Sequence, residues 1–354
     1  MRIGVKWLAA LAFLSVGPVS ATPAKSLDIY FIDVEGGQST LLVAPGGESL
    51  LIDTGFPGDG NSDPGDPAKA RDANRILAAA HDAGISAIDY LLITHFHPDH
   101  FGGVLELAQL LPIKHFVDHG IPTSDLMEDA DYRPFFEKYA KLRSRSPHLN
   151  PKPGEHLPLK AIDVTVVSSF GKTLEKPLPG AGKPNPLCRS EALPPGDPNE
   201  NPHSTGVVVK FGSFRFLDVG DLSGQPQYNL ACPVGLIGPV DVYLVAHHGD
   251  EDNSDPAIYA ALAPRVAIEN NGLKKGGSRE TYALLHHVAG LEDVWQLHRS
   301  AKAGDSNFAP ERIANLDEST AHWIKLSANE DGSFRVFNGR TGKSVNYPKR
   351  NGAN

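Results

Sequence analysis

Alternation of apolar and polar positions is clearest near the start of the chain. Residues 27–34 alternate, residues 38–43 and 49–52 follow at short spacing, and Gly36-Gly37 and Gly46-Gly47 punctuate them, which predicts three short strands joined by tight turns. Asp66-Pro67 supplies an N-cap and a first-turn proline, and the Ala-rich stretch to Ala83 stops at Gly84, so residues 66–83 are predicted to be a helix. Residues 88–93 read as a buried strand, 101–111 as a helix ended by Pro112, 114–117 as a strand and 133–143 as a helix. The second half repeats the style, with strands predicted at 162–167, 206–211, 215–218, 240–245, 265–269, 320–326 and 334–337 and a helix from Pro256. Two strand-rich halves, each with helices, predict two sheets packed face to face with helices outside.

One stretch interrupts this rhythm. Residues 171–203 are dense in Pro and Gly, with Pro at 177, 179, 184, 186, 194, 195, 198 and 202. A loop of this length inside a domain is usually a lid, a binding loop or an excursion. Residues 1–21 also stand apart: Arg2 and Lys6 precede an apolar run at 7–16, and Val19-Ser20-Ala21 closes it, as in a secretory signal cleaved after Ala21. That run is too short to span a bilayer, so the protein is expected to be exported, to the periplasm or beyond, with residues 22–354 forming one domain.

Charge and cysteines sharpen this expectation. Loss of Arg2 and Lys6 takes Lys+Arg from 33 to 31 against 42 Asp+Glu, which moves the net charge from −9 to −11. An acidic surface repels polyanions at long range, so a broad duplex nucleic-acid footprint is not expected, while a local site for a small or short anionic substrate is compatible with it. The two cysteines, Cys188 and Cys232, would meet an oxidising compartment and are expected to form a disulfide, the alternative being two buried thiols.

The strongest chemical signal is Thr94-His95-Phe96-His97-Pro98-Asp99-His100, followed by Gly102-Gly103. It falls where a buried strand ends and a helix begins. Three imidazoles and a carboxylate in six residues are ligands suited to Zn²⁺ or a similar ion. In extended backbone His95 and His97 can point the same way, while Asp99 and His100 turn back from the helix start.

With this loop the chain resembles the metallo-β-lactamase superfamily, whose hallmark is His-x-His-x-Asp-His. Leu50-Leu51-Ile52-Asp53-Thr54-Gly55, Asp218-Val219-Gly220-Asp221 and Val245-Ala246-His247-His248-Gly249 match further motifs of that family. The resemblance implies an α/β fold, the αββα four-layer sandwich, and a two-zinc hydrolase acting through a metal-bridging hydroxide. It assigns His95, His97, Asp99, His100, Asp221 and one of the 247–248 pair to the metals, and places Asp53 behind the loop as its support. His247 is taken as the metal ligand and His248, with Asp99, as the residues facing substrate and nucleophile. His203, in Pro202-His203-Ser204-Thr205-Gly206, stands where a first-site ligand is expected, or is a loop residue. Phe31-Ile32-Asp33-Val34-Glu35-Gly36-Gly37-Gln38, the His-His-Gly ending and Asn201-Pro202-His203-Ser204 most resemble the hydrolase domain of the competence DNA-internalisation channel. That likeness points to phosphodiester or phosphoester bonds. The alternatives are a lactone, β-lactam or other ester on the same site, and a non-catalytic metal-binding protein. His119 after the strand 114–117, Lys274 and Lys275 after the strand 265–269, and His298 after Trp295-Gln296-Leu297 are candidates for substrate contact, the alternatives being a turn residue for His119 and a solvated loop for the lysines.

Overall fold

Period-two alternation divides the first strands between two apolar environments. In the strand Leu27–Phe31, Leu27, Ile29 and Phe31 enter one buried cluster and Tyr30 another, because successive side chains leave opposite faces of a sheet. Leu50 and Ile52 separate from Leu51 in the same way along Ser49–Ile52. A sheet covered on both faces is nearly all apolar in sequence, as Ile88–Leu92 also is.

The computed structural model describes residues 26–60, 65–190 and 199–350, which form two nine-stranded sheets. The expected export segment lies outside the described residues. The first sheet runs from Lys343–Tyr347 through Phe334–Asn338, Ile324–Ala328, Leu27–Phe31, Thr40–Val43, Ser49–Ile52, Ile88–Leu92 and Ile113–Val117 to His148–Leu149. Asp163–Ser169, Gly206–Phe211, Phe214–Asp218, Val242–Leu244, Val266–Glu269, Asp293–His298 and Ile313–Asn315 form the body of the second. Leu27, Phe31 and Leu326 of one sheet share a cluster with Phe216, Val242 and Trp295 of the other. Phe31 meets Phe216 edge-on across this seam, with ring centroids 5.7 Å apart. Each such burial is worth about 1.5–3 kcal/mol.

Helices Arg71–Asp82, Val104–Leu110 and Tyr132–Arg143 cover the outer face of the first sheet, and Gly224–Ala231, Pro256–Leu262 and Arg279–Leu285 that of the second. The result is the helix–sheet–sheet–helix sandwich expected from the sequence. Ser49–Ile52, Ile88–Leu92 and Ile113–Val117 pair in parallel, as do Phe214–Asp218, Val242–Leu244, Val266–Glu269 and Asp293–His298. The motif residues follow the carboxyl ends of these strands, where parallel sheets present their binding sites.

Several boundaries differ from expectation for local reasons. The first helix begins at Arg71 rather than Asp66, whose carboxylate instead accepts from Ala68 N in a turn. The helix expected at 101–111 is two, Pro98–Phe101 and Val104–Leu110, broken at Gly102-Gly103. A Cβ on Gly103 would strike the Thr54 carbonyl, so the break lets the metal loop lie against the Asp53 turn. Cys188 and Cys232 are bridged, with Cα atoms 5.7 Å apart. The bridge ties the Pro-rich stretch to the end of Gly224–Ala231, and the Asn185 amide adds bonds to the carbonyls of Ala231 and Ala257 at 3.1 and 2.8 Å.

Candidate metal centre

Two buried groups of metal-binding side chains lie side by side. His95 and His97 extend from the carboxyl end of Ile88–Leu92, with His95 Nε2 and His97 Nδ1 3.0 Å apart. Pro98, at the first position of the short helix, pre-sets its backbone, and Asp99 and His100 follow within that single turn. Asp221 follows the tight Asp218–Gly220 turn, in which Gly220 has φ +56° and a Cβ would collide with Thr94. His95, His97 and Asp221 form one group, and Asp99, His100, Asp221 and His248 the other. Asp221 belongs to both: its Oδ2 is 3.8 Å from His95 Nε2 and 3.1 Å from His100 Nε2, and its Oδ1 is 3.4 Å from His248 Nε2.

Asp53 anchors this arrangement from below. A left-handed backbone at Asp53, φ 61°, ends the strand Ser49–Ile52 and turns the carboxylate under the loop. It accepts from Thr94 N at 2.8 Å and Thr94 Oγ1 at 2.7 Å, and lies 2.8 Å from His100 Nδ1. His100 Nδ1 therefore donates to Asp53, and its Nε2 faces the group.

This donor set fits a cation. Beside that nitrogen stand His248 Nε2 at 3.3 Å and Asp99 Oδ2 at 3.2 Å, while Asp221 Oδ1 and His248 Nδ1 are buried with no hydrogen-bond partner. Buried polar atoms left without a partner are costly, and imidazole nitrogens with carboxylate oxygens are the donors zinc-like ions take. The electrostatics agree. Burial and the neighbouring His100 hold the His95 imidazole well below its ordinary range. Burial works against the charged form of Asp221, yet His100 and His248 hold that carboxylate well below the usual range. Burial likewise opposes a charge on His100, but Asp221, Asp99 and Asp53 raise it well above the imidazole range. The field that draws a proton to His100 would draw a metal ion to the same place.

The structure departs from sequence expectation at two positions. His247 was expected in the metal group and His248 against substrate, but it is His248 that joins the group with Asp99, His100 and Asp221. Both residues have left-handed backbone, φ 49° and 54°, and the resulting kink sends His248 inward, fully buried, and His247 outward. His247 Nδ1 lies 2.9 Å from Asp252, and its Nε2 lies 3.2 Å from Asn201 Nδ2 and 3.8 Å from Asp221. Burial lowers the His247 pKa, but Asp221 and Asp252 together raise it to about 9. His203 joins neither group among the described residues. It ends the 3-10 turn Asn201–His203 with its ring against Phe170 and His119.

The other candidates separate clearly. Lys275, a candidate for substrate contact, places its ammonium on Asp99. Lys274 is exposed beside Glu318, and His119 is buried 2.8 Å from Glu200. His298 is buried against Asp33 at 2.7 Å. Sequence missed the third cluster that His298 forms with Asp33 and Glu35, which Arg75 contacts at 3.1 and 2.9 Å. It also missed Gln38, whose amide holds Asp218 at 3.0 Å and accepts from Asn270. Asp218 is pushed up to about 7 by burial and by the nearby Asp53.

Glu269, beneath the 247–249 turn, makes a separate prediction. It is fully buried with neither carboxylate oxygen hydrogen-bonded, and Gly249, at φ +71°, leaves it the space a Cβ would fill. Burial and then Asp250 push its carboxyl well above the ordinary range. The unfolded chain releases this proton near pH 4.3 and the folded protein only at higher pH, so stability falls as pH rises between the two. Glu269→Gln is expected to match the parent's thermal midpoint near pH 4 and to exceed it by about 2 °C or more at pH 8. A midpoint difference independent of pH would refute this.

With fold and site in view, the class is a metal-binding α/β sandwich. The metallo-beta-lactamase superfamily model matches residues 33–183, the part of the chain that carries Asp53 and the 95–100 loop. A metal-dependent hydrolase of Staphylococcus saprophyticus is 33% identical over 72 residues, which are 20% of this chain and 24% of that protein. The match thus spans about a quarter of that relative. Among solved structures, the metallo-beta-lactamase fold protein YhfI from Bacillus subtilis has a TM-score of 0.48 at 13% identity, covering 77% of this chain and 96% of its own. CmlA, a diiron beta-hydroxylase from Streptomyces venezuelae, has a TM-score of 0.44 at 16% identity, covering 77% of this chain and 53% of its own.

Proposed function

We propose that the protein is an exported hydrolase using two divalent ions, zinc by donor type, on phosphodiester or phosphoester substrates. The observation that carries this is Asp221, one carboxylate shared by the His95–His97 group and the Asp99–His100–His248 group. In this assignment His95, His97 and Asp221 hold the first ion, and Asp99, His100, His248 and Asp221 the second. Two bound ions supply Lewis acidity toward water and toward the developing negative oxygen.

The chain's own residues supply the rest. Asp53 fixes the tautomer and direction of His100. Lys275, a cation at the edge of the group in an acidic protein, meets an anionic oxygen of the substrate. His247 lines a groove of about 530 Å³ with Asn201, Pro202 and Asp252 and is placed to hold the substrate there. The bridged Cys188 and Cys232 support export, since disulfides persist in oxidising compartments. No helix among the described residues is long and apolar enough to cross a membrane.

A substrate panel on zinc-loaded protein tests this. Bis-p-nitrophenyl phosphate is expected to turn over, with nitrocefin and an acyl-homoserine lactone far slower. Turnover of nitrocefin or the lactone alone would move the substrate to the carbonyl class. Fewer than about one ion per chain after loading, with no turnover at all, would favour a binding protein.

A further inference from the structure

Strands Asp163–Ser169 and Lys172–Thr173 pair with Ser169 opposite Lys172, leaving a two-residue turn of Phe170 and Gly171. Both residues have positive φ, 50° and 73°. A hairpin turn of this kind favours Asn-Gly or Asp-Gly, because a side chain branching from a left-handed backbone meets its own carbonyl. Phenylalanine is therefore a poor choice for the backbone, and it is not there for the core: Phe170 is 52% exposed. Persistent local strain at a position outside the core points to function.

The surroundings give that function a chemistry. The Phe170 ring rests on His203 at 5.3 Å and on His119 at 5.6 Å between centroids, and its N–H donates to the His203 carbonyl at 2.9 Å. Ile121, 63% exposed, stands two residues beyond His119, and these are the two most exposed large apolar side chains among the described residues. The Asn201–His203 turn links the ledge to the groove at His247. His203 ends the three-residue turn Asn201–His203, whose first residue lies 3.2 Å from His247 at the groove beside Asp221. Such a turn rises about 2 Å per residue, so its ends lie within roughly 6 Å.

We propose that Phe170 is a substrate-binding residue that stacks a planar aromatic ring carried next to the scissile ester, with His203 and His119 fixing its orientation. This rests on the anionic-ester reading of the same centre and adds the class of group borne by the ester. An exposed aromatic face prefers offset or edge-on partners at 4.5–7 Å, and its loss is expected to weaken binding of an aromatic ligand by roughly tenfold.

The test uses the zinc-loaded full chain and two non-hydrolysable probes, phenylphosphonate and methylphosphonate, with affinity measured by calorimetry. The parent is expected to bind the phenyl probe roughly tenfold more tightly, Phe170→Trp to keep that preference and Phe170→Asn to lose it. Phe170→Asn is also expected to raise the thermal midpoint by about 2 °C or more, because Asn suits the turn. A phenyl preference that is absent in the parent or survives in Phe170→Asn overturns the proposal, as does a lowered midpoint in Phe170→Asn. Intact phenyl preference without phosphodiester turnover overturns the hydrolytic reading and leaves the ledge standing.

Discussion

Asp221→Ala is expected to abolish hydrolysis, with the rate falling by at least about 10³-fold, or about 4 kcal/mol in the activation barrier. The size follows from the position of Asp221 in both groups. Its removal leaves two imidazoles, His95 and His97, for one ion and takes a carboxylate from the other. Zinc sites need three or four donors, so bound metal is expected to fall from about two ions per chain to below one. The fold should persist, because Asp221 contributes no apolar contact to the seam between the sheets. Asp221→Asn separates shape from charge: it keeps the carbonyl oxygen but removes the negative charge opposite His100 and His248, and the same loss of metal is expected. Metal content by elemental analysis and turnover of bis-p-nitrophenyl phosphate provide the two readouts. Full metal content with parental activity in either variant would break the assignment of Asp221 as the shared residue.

Much of this centre is local in sequence, and that part was legible. His95, His97, Asp99 and His100 lie within one strand end and one helical turn, so spacing alone placed them together. Asp53 and Asp221 were legible through their motifs at strand ends. The choice between His247 and His248 was not. Alternation along an extended strand assigns neighbours to opposite sides but does not say which side is inward. Here the strand has already ended at Leu244, and two successive left-handed residues set the direction. For His203 the sequence left ligand and loop residue open for a similar reason: the 3-10 turn that it ends presents Asn201 toward His247 and turns His203 toward Phe170. Lys275, Gln38 and Glu200 act through partners 176, 180 and 81 residues away, on Asp99, Asp218 and His119, which no local pattern encodes.

The same distinction separates the elements that were read from those that were not. Leu27–Phe31, Ser49–Ile52 and Ile88–Leu92 announce themselves because both of their faces are buried. The edge strand Lys343–Tyr347 is largely exposed and polar and carries no such signature. Gly224–Ala231 contains Gly and Pro, poor residues for a helix by propensity, and forms because Leu230 and Ala231 pack beneath the second sheet's helical layer. Tertiary contact decided these elements.

His248→Ala and His247→Ala are expected to differ in kind, and their contrast tests the kinked turn directly. His248 is fully buried, with Nε2 3.2 Å from Asp99 and 3.3 Å from His100 Nε2. Its removal takes one of four donors from the second group, so about one ion per chain is expected to be lost together with at least about 10²-fold in kcat. His247 lies at the groove with its Nδ1 on Asp252 and approaches Asp221 only at 3.8 Å. His247→Ala should therefore keep its metal and act mainly through a higher KM, since it removes a contact with bound substrate and not a donor. Titration with a chromogenic chelator reads the first effect and steady-state kinetics the second. Loss of an ion in His247→Ala, with full metal in His248→Ala, would restore the assignment that sequence alone favoured and would place the kink at 247–248 in the opposite sense. If both variants lose metal, both imidazoles must reach an ion, and the turn would have to swing His247 inward from Asp252 as the ions bind.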